Sequence, residues 1–117
     1  MAPEQDPQLL KGVLSLLLLH VLAEQESYGY EVVHRLREIG LSDIAAGTVY
    51  PALSRLEREQ RLTARLVASS EGPASKYYRP TPAGYQSLAA GTTAWTVLAE
   101  LVSRQLSRPV SPPAKGQ

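Results

Sequence analysis

Apolar positions along the chain change their period several times, and each change marks an element. From Gln8 to Glu24 almost every position is aliphatic, from Leu9 and Leu10 through Leu14, Leu17 and Leu18 to Leu22, with almost no polar stripe. A helix that is apolar all round must be covered on more than one side. A chain of 117 residues offers little to cover it, so this pattern predicts a partner subunit. Tyr28, Val32 and Leu36 then share one face of a second helix over Tyr28–Ile39. Ser27 is its expected N-cap and Gly40 its stop. After a linker, residues 41–46, Val49, Leu53 and Leu56 recur at i, i+4 and i+7 and line one stripe of a third helix. At about 100° per residue, Gly47, Pro51, Ser54 and Arg58 fall on the opposite stripe, flanked by Thr48, Tyr50 and Arg55. This helix is expected to start near Thr48, with Pro51 in its first turn, and to end near Glu59.

The period then shortens. Leu62–Val67 alternates loosely as a strand, Ser69–Pro73 is rich in turn residues, and Lys76–Arg79 returns as the second strand of a hairpin. Thr81 followed by Pro82 starts a last helix. It runs to about Ser107, with a weak point expected at Gly91-Thr92-Thr93. Leu88, Trp95, Leu98, Val102 and Leu106 follow roughly heptad spacing, as on a helix docked against another. With Leu10 they form the candidate dimer interface. Three helices, a hairpin and a helix make a mainly α (α+β) fold: a winged helix-turn-helix with a C-terminal dimerisation helix. The expected divisions are a flexible N-terminus (1–7), a winged helix-turn-helix DNA-binding domain (8–80), the dimerisation helix (81–108) and a flexible proline-rich tail (109–117).

Charge sharpens the picture. Residues 1–49 carry three Lys/Arg against seven Asp/Glu, residues 50–80 six against three, and residues 81–117 three against one. Positive charge therefore gathers on the third helix and just after it, a modest footprint for a polyanion. Cysteine is absent, which excludes disulfides, thiolate catalysis and cysteine-ligated zinc and fits a cytoplasmic location. The Leu9–Leu22 run contains Lys11 and His20 and is too short to span a bilayer, so no membrane partner is expected. His20 and His34 lie on different helices, and no nucleophile is spaced with a base. Neither catalysis, nor a metal, nor a cofactor is expected.

The exposed stripe carries the candidate chemistry. Small groups allow close approach to a groove, and polar groups reach phosphates or base edges. Ser54, Arg55 and Arg58 are the first candidates for groove contacts, with Pro51 on the same stripe. Thr48 is placed to bond a phosphate or cap its own helix. Lys11 is a candidate for the phosphate backbone. The wing tip, residues 69–75, has no Lys or Arg and contains Glu71, so Lys76 at its base is the better wing contact.

These pieces resemble the PadR family of transcriptional regulators. The matching residues are Leu10-Lys11-Gly12, Tyr28-Gly29-Tyr30, Thr48-Val49-Tyr50-Pro51-Ala52-Leu53 followed by Arg55-Leu56-Glu57, Lys76-Tyr77-Tyr78 and Thr81-Pro82-Ala83-Gly84. The single last helix resembles the short-form members, which dimerise through their first and last helices. The resemblance implies a homodimer, a repressor, bound to double-stranded DNA at a pseudo-palindromic operator with half-sites about one helical turn apart. It also implies that Tyr50 and Tyr30 lie near the DNA backbone. Some members bind flat aromatic or drug-like effectors between paired first and last helices. Here that site would fall at Trp95, with Leu14, Leu17 and Leu18 as walls, while Trp95 as a plain interface anchor is the competing reading. An alternative class is a winged-helix module that binds a protein or sequesters a ligand without reading DNA, favoured by the acidic N-terminal half and the cation-free wing tip.

Overall fold

The first helix, α1 (Pro7–Glu24), is the spine of the structure, a computed structural model that describes residues 6–114. The Asp6 carboxylate caps it, accepting from the Gln8 N–H at 2.9 Å and the Leu9 N–H at 3.4 Å, and Pro7 takes the first helical position, where its missing N–H costs nothing. Asp6 and Pro7 thus belong to the helix start, not to the flexible N-terminus expected for residues 1–7. Residues 1–5 of that segment lie outside the described residues. By length and composition alone α1 could cross a membrane. It instead packs against the second helix, the third, the hairpin and the last helix, burying Leu14, Leu18, Leu19, Val21 and Leu22.

The remaining elements are β1 (Ser27–Tyr28), α2 (Gly29–Glu38), α3 (Ala46–Arg58), β2 (Leu62–Ser69), β3 (Gly72–Pro80) and α4 (Pro82–Leu106). The three strands form an antiparallel sheet in the order β1-β3-β2. β1 corrects the expected role of Ser27. That residue is fully buried and pairs with Tyr78 in the sheet. Its hydroxyl donates to the Gln25 carbonyl and accepts from Arg35 at 2.8 Å. The N-cap of α2 is Tyr28, without a side-chain bond. A two-residue strand is too short to leave a period-2 signature.

α3 begins at Ala46, capped by Ala45 through backbone conformation alone. Thr48 is therefore inside the helix and is not its cap. Pro51 lies in the second turn rather than the first, so the Gly47 carbonyl loses its helical partner. Gly47 is exposed, so the lost bond falls on the solvent side of the helix, where it costs least. Gln60 closes the helix in the left-handed region (φ 62°). β2 and β3 are longer than the alternation suggested. The tip shrinks to Ser70-Glu71, with a bulge between Val67 and Ser69.

The start of α4 is bolted to the turn after α3. Thr81 Oγ1 accepts from the Gly84 N–H at 3.0 Å and donates to the Gln60 carbonyl at 2.7 Å, and the Thr81 N–H donates to the Arg61 carbonyl at 3.0 Å. A Cβ at Gly84 would overlap that Arg61 oxygen, so only glycine fits this crossing. The expected weak point at Gly91-Thr92-Thr93 is absent. The helix continues through it, with the hydroxyls of Thr92, Thr93 and Thr96 bonded back to the carbonyls of Leu88, Ala89 and Thr92. Gly91 marks a close pass of α4 over α1, since a Cβ there would lie 2.9 Å from Leu16 Cδ1.

Beyond that crossing α4 leaves the body, and the molecule is drawn out to 68 × 30 × 21 Å. The stripe that meets α1 at Leu88 and Gly91 continues outward as Trp95, Leu98, Val102 and Leu106, all exposed. Residues 109–114 carry no helix or strand. Residues 115–117 of the expected tail lie outside the described residues.

Candidate nucleic-acid interface

α3 divides cleanly by side. Val49, Leu53 and Leu56 are at most 1 % exposed and hold the helix on the core, whereas Gly47, Pro51, Ser54 and Arg58 are all exposed. The helix thus shows solvent a shallow stripe of small groups ending in one long cation.

Its two flanks are engaged by neighbours. Towards α1, Arg55 Nη2 donates to Ser15 Oγ at 3.1 Å, so this guanidinium leans off the exposed stripe. Thr48, Arg55, Arg58 and Lys11 share a cleft of about 800 Å³ between the first turns of α1, residues 40–45 and α3. Its walls include Leu10, Leu14, Leu41, Ile44 and Pro51. The cleft was not legible in the sequence, because residues from three separate segments make it. Arg37 Nε braces the linker by donating to the Ile44 carbonyl at 3.1 Å.

Towards the wing, the Tyr50 ring lies over Gly29, where a Cβ would come within 2.5 Å of Tyr50 Cε1. This explains the glycine between Tyr28 and Tyr30: it opens the floor on which Tyr50 sits. Tyr30 is exposed at the start of α2, with its ring edge-to-face on His34 at 4.6 Å. Lys76 Nζ pairs with Glu57 Oε1 at 3.1 Å, tying the base of the wing to α3. The hydrogen bond that the Lys76 ammonium donates to Glu57 favours its protonated form and raises its pKa above the ordinary lysine value. Burial pushes the nearby Tyr78 phenol up. Sequence reasoning named Lys76 but missed Glu57 as its partner.

On the opposite face of the sheet, Arg65 chelates Glu26 and lies 5.9 Å from the Tyr77 ring centre. The Arg65 hydrogen bonds hold the Glu26 carboxyl below the usual carboxylate range.

The candidate effector residues are not gathered into one pocket in the protomer. Trp95 is half-exposed on the free part of α4, while Leu14 and Leu18 are 5 % and 0 % exposed and belong to the core. Those two leucines are therefore corrected from effector walls to core residues. Leu17 remains half-buried.

Comparison with known proteins follows the same lines. Residues 18–90 match the transcriptional regulator PadR-like family. The chain is 35 % identical over 80 residues to transcriptional regulator Rv3488 of Mycobacterium tuberculosis, covering 67 % of this chain and 71 % of that protein. It superposes on a PadR-like regulator from Bacillus cereus with a TM-score of 0.78 at 34 % identity, covering 87 % of this chain and 99 % of the other. A PadR family regulator from Eggerthella lenta gives 0.79 at 32 % identity, covering 87 % and 88 %. A helix with one face in the core and one bare, a wing beside it and a long helix leaving the body are thus the parts of a known kind of machine, and the chain belongs to the PadR-like family of DNA-binding transcriptional regulators.

Proposed function

We propose that the protein is a homodimeric repressor that lays α3 of each subunit in successive major grooves of a pseudo-palindromic operator. The observation that carries this reading is the division of α3, with Gly47, Pro51, Ser54 and Arg58 bare while Val49, Leu53 and Leu56 are sealed in the core. Ser54 and Arg58 reach base edges, and Thr48, Tyr50, Tyr30 and Lys11 reach phosphates. On the operator Lys76 exchanges Glu57 for a phosphate. Arg55 turns to the DNA by releasing the Ser15 hydroxyl, a weak partner beside a phosphate.

The bare stripe of α4 supports the dimer. Trp95, Leu98, Val102 and Leu106 extend the surface that covers α1 in the same subunit, and α1 of a second subunit offers the matching one, including Leu9 at 74 % exposure. Trp95 lies on this stripe, so a planar aromatic effector between the two indoles would alter the spacing of the reading heads and release the operator.

The test is fluorescence anisotropy on duplexes enriched by the protein from a random-sequence pool, at two salt concentrations. Binding that weakens steeply with salt and drops about 10-fold or more in Arg58→Ala supports the reading. No binding at low salt overturns it.

A further inference from the structure

Lys76 is held by a carboxylate that belongs to the reading helix. Glu57 Oε1 and Oε2 lie 3.1 and 3.4 Å from its ammonium. Glu57 follows Ser54 by three residues and Tyr50 by seven, which places it along the edge of the exposed stripe. Lys76 reaches it because Lys76 and Tyr78, two apart on β3, point to the helical side of the sheet. Glu57 is the less exposed partner, at 33 % of its side chain against 52 %. The carboxylate therefore stays at the edge of α3 whichever way the lysine swings.

We propose that Glu57 is a specificity-determining residue of the DNA interface, an internal counter-anion that masks Lys76 from DNA of arbitrary sequence. The proposal rests on the reading that α3 and the wing base face the duplex. Non-specific binding is built almost entirely from cations meeting phosphates. A lysine already neutralised by a neighbouring carboxylate adds little to it, and the carboxylate repels phosphates within a Debye length. On the operator, base contacts fix the register, and only there is one phosphate held close enough to displace Glu57. A freed Lys76 would find a phosphate in any register, so losing Glu57 strengthens wrong sites more than right ones.

A second ion pair supplies the control. Glu26 holds Arg65 on the other face of the sheet, because Arg65 pairs with Tyr77 in the register and not with Tyr78. Glu26→Gln and Glu57→Gln change the net charge equally, but only the second frees a cation beside α3.

The experiment titrates a mixed-sequence 30-base-pair duplex between about 50 and 200 mM salt with the wild type, Glu57→Gln, Glu26→Gln, and Glu57→Gln combined with Lys76→Gln. One more phosphate contact per subunit steepens the salt slope by about 0.9 per subunit. For a dimer, the ratio of affinities at the two salts then grows by roughly 10-fold in Glu57→Gln. Glu26→Gln leaves the slope unchanged, and Lys76→Gln abolishes the gain. Equal shifts in both glutamine variants, or no tightening in Glu57→Gln, overturn the proposal while leaving the DNA reading intact. A wild type that binds neither this duplex nor a selected one overturns the DNA reading and this proposal with it.

Discussion

The ring of Tyr50 on α3 fills the space that a side chain at Gly29 on α2 would need, with 2.5 Å left between a built Cβ and Tyr50 Cε1. Gly29→Ala therefore has to expel the ring. The expected cost is about 1–3 kcal/mol, and it should largely vanish in the Tyr50→Ala background. Urea unfolding of the four proteins measures the coupling. Additive effects would show that the two residues do not share this space. Because Tyr50 flanks the exposed stripe of α3, Gly29→Ala should also weaken DNA binding without removing any polar group.

Two glycines of α4 should respond differently to alanine. At Gly84 the obstacle is the Arg61 backbone carbonyl, which cannot rotate away. Gly84→Ala should destabilise by about 3 kcal/mol, since α4 must lift from the turn after α3. At Gly91 the obstacle is the tip of the Leu16 side chain, which has other rotamers. There the gain of about 0.5–1 kcal/mol from replacing a mid-helix glycine offsets the contact. Thermal melts of the two variants should thus differ clearly, and equal melting temperatures would contradict the assignment of the two contacts.

Acid should report on Glu26. Its carboxyl is lowered from 4.5, chiefly by the hydrogen bonds from Arg65. A group whose folded value is depressed stabilises fully above its unfolded value and loses that contribution as pH falls through the folded one. The stability gap between wild type and Glu26→Gln should therefore be flat above about pH 5 and close below about pH 4.5. A gap that persists unchanged to pH 2 would show that the pair plays no part.

Much of this architecture is legible in the sequence. The period of Val49, Leu53 and Leu56 reveals which side of α3 is buried, and Thr81-Pro82 reveals where α4 begins. What escapes is whatever depends on contact across the chain. Ser27 reads as a cap because serine before a helix usually is one, yet strand pairing with Tyr78 claims its backbone and Arg35 its hydroxyl. Leu14 and Leu18 read as walls of a site on a helix apolar all round, but α2, α3 and the hairpin already cover that side. Gly91-Thr92-Thr93 reads as a break because its residues are poor helix formers, and hydroxyls bonded one turn back carry the helix through. The Glu57–Lys76 pair joins residues 19 apart in sequence, a distance that no local pattern spans.

The distal half of α4 carries the last prediction. Leu98 and Val102 are 55 % and 41 % exposed in the protomer and lie outside its buried core, so replacing them disturbs little internal packing. On a helix they sit one turn apart on the same stripe as Trp95. If two subunits pair through this stripe, an aspartate at each position buries two unpaired charges per subunit in the interface, and such charges cost several kcal/mol each. Leu98→Asp with Val102→Asp should then sediment as the 12.7 kDa protomer at concentrations where the wild type is a dimer, with its helical circular dichroism retained. Operator affinity should fall far more than non-specific affinity, because a monomer reaches one half-site at a time. A double aspartate variant that still sediments as a dimer would place the interface elsewhere, and Trp95 would lose its claim to face a second indole.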